Sequence, residues 1–153
     1  MKTEKDRVRR HTARSVLRRI DDGTAARLLE CAEGGDEAAR QRLQELDHEW
    51  DTDRTIEVEA ATTALAGLAL GALVDRRLFT VSGVVAAALL LHGLTGWYPL
   101  LPALRRLGVR SALEIERERY AVKALRGDFA GLEDIDTRRA IAPGEVAPKA
   151  ELH

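Results

Sequence analysis

The sequence predicts an all-α membrane protein, a two-helix transmembrane hairpin with amphipathic helical arms. Three observations carry that prediction. Two apolar runs, residues 60–74 and 78–97, stand next to each other in a chain of 153 residues. The only charges between Ala60 and Leu101 are Asp75, Arg76 and Arg77, which join the two runs. Outside this stretch charge is dense enough to bring the whole chain to 32% charged residues and a formal net charge of -1. The mean hydropathy of -0.24 therefore averages two unlike regions.

The composition also narrows the function classes. Acids balance bases, so no global basic field is present to attract nucleic acid. The basic residues are almost all arginine, with lysine only at Lys2, Lys5, Lys123 and Lys149. Cys31 is the single cysteine, so no intrachain disulfide can form, which fits a reducing compartment for its arm. The charged N-terminus, with no apolar run in the first fifty residues, carries no signal-peptide pattern.

Residues 1–53 read as a cytoplasmic helical arm. Its first eleven residues are polar and basic, and a solvated, mobile terminus is expected there; Arg7, Arg9 and Arg10 could touch anionic lipid. Thr12 caps a short helix bearing Val16, Leu17 and Ile20. Asp21-Asp22-Gly23 reads as a turn and Thr24 as the next N-cap. Leu28, Leu29 and Ala32 share one side of that second helix. Gly34-Gly35 breaks it, and Asp36 caps a third helix in which Ala39, Leu43, Leu46 and Trp50 form a narrow apolar stripe. Such stripes bury little area alone, so the arm should pack on itself, on the membrane surface or on a second copy. Cys31 is expected to be a packed, inert thiol, since burial and flanking glutamates raise a thiol pKa.

Residues 54–102 form the hairpin. The second run is long enough to span a bilayer, which takes about 20 residues. The first covers only about 22 Å at about 1.5 Å per residue, and extending it back to Ile56 brings Glu57 and Glu59 to headgroup level. The three-residue joint forces the runs antiparallel, so both arms emerge on one side. Arg54, Arg105, Arg106, Arg110, Arg117 and Arg119 flank the hairpin against Arg76 and Arg77 at the joint, which places both termini in the cytoplasm and the joint outside. Ala60, Ala64, Gly67 and Gly71 recur at i, i+4, i+7 and i+11. Ser82, Ala86, Gly93 and Gly96 form a similar stripe on the second helix. Stripes of this kind let helix backbones approach closely, within one hairpin or between copies. Trp97 and Tyr98 read as interface anchors, and Pro99 and Pro102 redirect the chain along the surface. Thr62, Thr63, Ser82 and Thr95 can bond back to their own helices. His92, as an ionisable group in a span, is a candidate polar site together with Thr95; the plainer reading is a neutral, hydrogen-bonded structural histidine.

The exit from the hairpin, Gly93-Leu94-Thr95-Gly96-Trp97-Tyr98-Pro99-Leu100, resembles the YgaP-like transmembrane domain family of bacterial and archaeal inner-membrane proteins. Asp53-Arg54 matches that family's entry dipeptide, and the stretch from Leu104 to Phe129 looks like a longer-armed branch. The resemblance implies two short membrane helices with a closing G-x-x-G-x-C-P signature. Some members are fused to a sulfur-carrying rhodanese domain. Here Tyr98 stands at the signature's cysteine, so no thiol chemistry is carried over.

Residues 103–129 form a cytoplasmic amphipathic helix. Ser111 and Glu114 make a capping box, Ile115, Tyr120, Val122 and Leu125 supply its apolar side, and Gly127 stops it. Its mixed charges, with Glu116 and Glu118 at i, i+2, read as a salt-bridged solvent face. Residues 130–153 read as a flexible tail. Phosphate-binding, zinc-protease and nucleophile-elbow motifs are absent, and the four histidines share no ligand spacing. The expectation is therefore a non-enzymatic membrane protein without cofactor or metal. It should act as an anchored module for self-association or for an unidentified protein partner in the inner membrane, with lipid around it. The alternatives are a small oligomeric conduction protein using His92 and Thr95, and a soluble all-α domain with the hairpin as core.

Overall fold

A computed structural model describes residues 6–130, and among these every element is helical. The helices are α1 (Arg7–Arg10), α2 (Arg14–His48), α3 (Thr52–Leu73), α4 (Phe79–Thr95), α5 (Leu101–Arg106) and α6 (Ala112–Arg126), with a 3-10 turn at Arg76–Leu78. The tail assigned to residues 130–153 lies outside the described residues save for Ala130.

The hairpin forms as the sequence indicates, and its first helix is longer than the apolar run alone. The Asp51 side chain accepts from Arg54 N–H and starts α3 at Thr52, giving 22 residues, or about 33 Å. Glu59, inside that extension, accepts from the Tyr98 hydroxyl at 2.7 Å and the Thr63 hydroxyl at 3.1 Å. At the joint Asp75 accepts from Arg77 N–H and closes the turn in three residues. Gly96, at φ 77, ends α4 through a bond from its N–H to the His92 carbonyl. Two helices are thus long and apolar enough to cross a membrane.

The first arm departs from expectation in three places. Asp6 caps α1, and Val8 is buried beside Ile56, Ala60, Tyr98 and Leu101. The stretch after Asp6 is therefore packed against the base of the hairpin, not a solvated terminus. Asp21, Asp22 and Gly23 lie within α2, not in a turn. Arg9 holds the Asp21 carboxylate through two bonds of 2.9 Å, and the Thr24 hydroxyl donates to the Ile20 carbonyl as a mid-helix residue. Thr12 is no cap, because its hydroxyl donates to the Val8 carbonyl, and α2 begins after Ala13 with no side-chain cap. The break at the paired glycines does occur: Gly35, at φ 64, folds α2 back on itself.

The two limbs of α2 pack on α6. Cys31, Ala39 and Val122 form their buried centre, with Leu28 and Leu43 against it. Leu46 is buried as expected, whereas Leu29 points outward and Trp50 stacks under the Arg54 guanidinium 4.4 Å from its ring. On α6, Ile115 and Val122 face inward while Tyr120 and Leu125 are exposed.

Candidate functional site at the base of the hairpin

Three features of the molecule are candidates for function: the α3–α4 contact, the surroundings of His92, and the ion pairs linking the arms.

In the α3–α4 contact the first small-residue stripe behaves as expected. Ala60, Gly67 and Gly71 are buried, and Ala64 is half-buried with its carbonyl accepting from the Ser82 hydroxyl at 2.8 Å. A Cβ on Gly67 would lie 2.6 Å from Ser82 Oγ and 3.2 Å from Ser82 N. The second stripe is not one face. Ser82 meets α3, and Val85, Ala88 and Leu89 pack on the core at the hairpin's base. Ala86 and Gly93 turn outward, and a Cβ on Gly93 would meet nothing within 4 Å. The stripe breaks because 82, 86, 93 and 96 do not follow the 3.6-residue period on which 82, 85, 89, 92 and 96 lie. Gly96 is buried against α1, where an added Cβ would stand 2.5 Å from Arg7 Cβ.

His92 occupies the last turn of α4 and is 9% exposed. Its Nε2 lies 3.1 Å from the Asp53 carboxylate, and its ring meets Tyr98 edge-on at 5.9 Å. Its Nδ1 is buried with no hydrogen-bond partner among the described residues. The ring borders a cavity of about 350 Å³ whose wall includes Asp6, Arg7, Asp53, Glu57 and the start of α6. Thr95 does not join it: its hydroxyl donates to the Leu91 carbonyl and accepts from Trp97 N–H. Trp97 is partly exposed, and Tyr98 is buried on Glu59. Among the described residues no group of three His, Cys, Asp or Glu side chains is placed to hold a metal ion.

The ion pairs are what the sequence reading missed. Glu118 is 1% exposed, not on a solvent face. It accepts from Arg27 at 3.0 Å, from Arg42 at 2.7 Å and from Arg110. Arg110 also reaches Glu49 through a 2.6 Å bond. Glu114 takes both guanidinium nitrogens of buried Arg105, at 2.7 and 2.8 Å, and a third from Arg9 at 2.7 Å. Burial alone would push both carboxyls up. The guanidiniums reverse this, holding Glu114 below its ordinary range and Glu118 at about 2. Cys31 goes the other way: burial raises its thiol and leaves it protonated. One compositional signal for the pairs was available, the preference for arginine over lysine, since a planar guanidinium suits shared, buried carboxylates.

No family model, curated protein or solved structure matches this chain.

Proposed function

We propose that the α3–α4 hairpin spans the inner membrane, with both termini cytoplasmic, and that the ion-paired arms form an anchored module for self-association or partner binding. The observation that carries this reading is the surface of α4. From Arg76 to Thr95 His92 is the one buried residue, and Val84, Leu90 and Leu94 face outward. A soluble core helix would cover most of that stretch, and water would penalise it by about 25 cal/mol per Å² of apolar surface. Among the described residues, every buried ion pair lies in the arms or at the hairpin's base.

Orientation is supported by the basic residues around the hairpin, Arg54, Arg105, Arg106, Arg110, Arg117 and Arg119, against two at the joint. That rule counts basic residues as the chain inserts, so later pairing of Arg105 and Arg110 does not weaken it. The small outward residues Ala86 and Gly93 support close helix approach by a second copy. A conduction role would need Thr95 on a polar lining, and its hydroxyl is already committed to its own helix end.

Membrane fractionation tests the reading. The protein should stay in the pellet through an alkaline carbonate wash and leave it only with detergent. A cysteine introduced at Arg76 should react with an impermeant maleimide from outside, and one at Arg117 should not. Release by alkali would remove the anchor. A monomer without companions in native mass measurement would remove the interaction role.

A further inference from the structure

The limb from Arg7 to Ile20 carries six arginines and no acid. It is tied to the base of the hairpin at both ends and in the middle. The Arg7 guanidinium donates to the Gly93 carbonyl at 2.9 Å, Arg105 Nε donates to the Thr12 hydroxyl at 3.0 Å, and Arg19 donates to the Arg106 carbonyl. Val8 is buried among Ile56, Ala60, Tyr98 and Leu101. The arginines between these ties, Arg10, Arg14 and Arg18, are therefore held near the end of the apolar helices.

Ion pairing divides the arginines of the arms. Away from the base, Arg27 and Arg42 meet Glu118, Arg40 meets Glu37 and Arg119 meets Asp47. Within the limb Arg9 is paired, with Asp21 and Glu114. Arg10, Arg14, Arg18, Arg19 and Arg106 are exposed and meet no carboxylate among the described residues. Of the neighbouring acids, Asp6 is taken up by the Ser111 hydroxyl and Asp21 by Arg9, which leaves Asp22. Apolar side chains stand exposed on the exit from α4 and along α5: Trp97, Leu100 and Leu107, the last at 81%. Guanidiniums without carboxylates suit phosphate, which accepts two parallel N–H bonds from each. Apolar side chains beside them suit the boundary between headgroups and acyl chains.

We propose that this limb, through Arg10, Arg14, Arg18 and Arg19 together with Arg106 of α5, docks on the anionic lipid headgroups of the cytoplasmic leaflet. The proposal rests on the membrane reading above, which puts the base of the hairpin at headgroup level. Arg9 has a different part, since its guanidinium is held by Asp21 and Glu114 and ties the limb to α6. A headgroup with net negative charge, such as that of phosphatidylglycerol, supplies the missing counter-charge. Phosphatidylcholine carries its own cation and supplies none.

The test is native mass spectrometry of the full chain in mild detergent with equal amounts of phosphatidylglycerol and phosphatidylcholine. Phosphatidylglycerol should be retained about fivefold better, the effect of one basic residue at a charged lipid surface. The combined variant Arg10→Gln, Arg14→Gln, Arg18→Gln should bring the two lipids to parity while circular dichroism shows the helices intact, since all three side chains are exposed. Arg40→Gln, which removes a cation paired to exposed Glu37, should leave the preference unchanged. In the unaltered chain the preference should shrink as ionic strength rises, because exposed charges are screened by salt. Equal retention of both lipids by the unaltered chain would overturn the proposal and give the limb to an acidic protein partner. An unchanged preference in the combined variant, an equal loss in Arg40→Gln, or indifference to salt would overturn it as well. Failure of the underlying membrane reading appears separately, as release of the protein by alkaline wash.

Discussion

The hairpin and the arm bundle solve opposite problems with the same kind of element. In the hairpin two helices meet through glycine, alanine and one serine hydroxyl, and their outward surfaces are apolar. In the arms α2 and α6 meet around Cys31, Ala39 and Val122, and buried Glu118 ties them together with Arg27 and Arg42 of α2 and Arg110 of the link before α6. Close approach of small residues sets the first interface. Charge pairing sets the register of the second, because each narrow apolar stripe buries too little to specify one.

The largest expected effect breaks the arm side of this contrast. Glu118→Ala leaves Arg110, 4% exposed, without its shared carboxylate. Loss of one partner from a buried pair costs about 3–5 kcal/mol. Thermal unfolding followed by circular dichroism should show the arm helices melting well below the hairpin.

Acid should reach the same link by protonation. Glu118 has a folded pKa of about 2 against an ordinary 4.5, and Glu114 is lowered as well. A depressed carboxyl contributes stability that is complete above the ordinary value and is lost as pH falls through the folded one. Hydrogen exchange should therefore show α2 and α6 opening between about pH 4.5 and pH 2, while amides in the middle of α3 and α4 stay protected.

Gly67→Ala sharpens the hairpin side. Its Cβ would meet the Ser82 backbone as well as Oγ, so the helices must separate, at about 1–3 kcal/mol. Gly71→Ala should cost less, because the nearest atoms its Cβ meets belong to the Phe79 side chain, at 2.7 to 2.9 Å, and that side chain can swing aside where backbone cannot. Detergent unfolding should rank the two in that order.

The smallest effect is Gly93→Ala, which meets nothing within the chain. Monomer stability should hold or rise slightly, since alanine favours a helix interior by about 0.5–1 kcal/mol over glycine. Cross-linking in membranes should nonetheless show fewer oligomers if a second copy packs on that face. Unchanged cross-linking would assign the outward glycine to lipid.

Local rules made several elements readable. The capping box at Ser111 and Glu114, the left-handed stop at Gly127, the joint at Asp75 and the break at Gly34-Gly35 each depend on a few neighbouring residues, and each is found where the sequence placed it. The helix through Asp21-Asp22-Gly23 was not readable, because what restrains Asp21 is Arg9 from a separate helix. The outward turn of Ala86 and Gly93 was legible in principle from helical period, since only Ser82 and Gly96 of that stripe lie on the inner row. The His92 cavity was half legible. An ionisable residue near the end of an apolar run marks itself, but Asp53, Glu57, Arg7 and the start of α6 converge on it only through the fold.

By itself the sequence determined the helical class, the antiparallel hairpin and the points where its helices stop, because hydrophobic period, turn length and capping act within a few residues. Tertiary structure alone decided which charges go inside. Glu116 and Glu118 are two residues apart on one helix, and no local property separates them. Glu118 is buried because Arg27, Arg42 and Arg110 arrive from two other segments to replace the water it gives up, and desolvating a carboxylate is tolerated only where such partners are already in place.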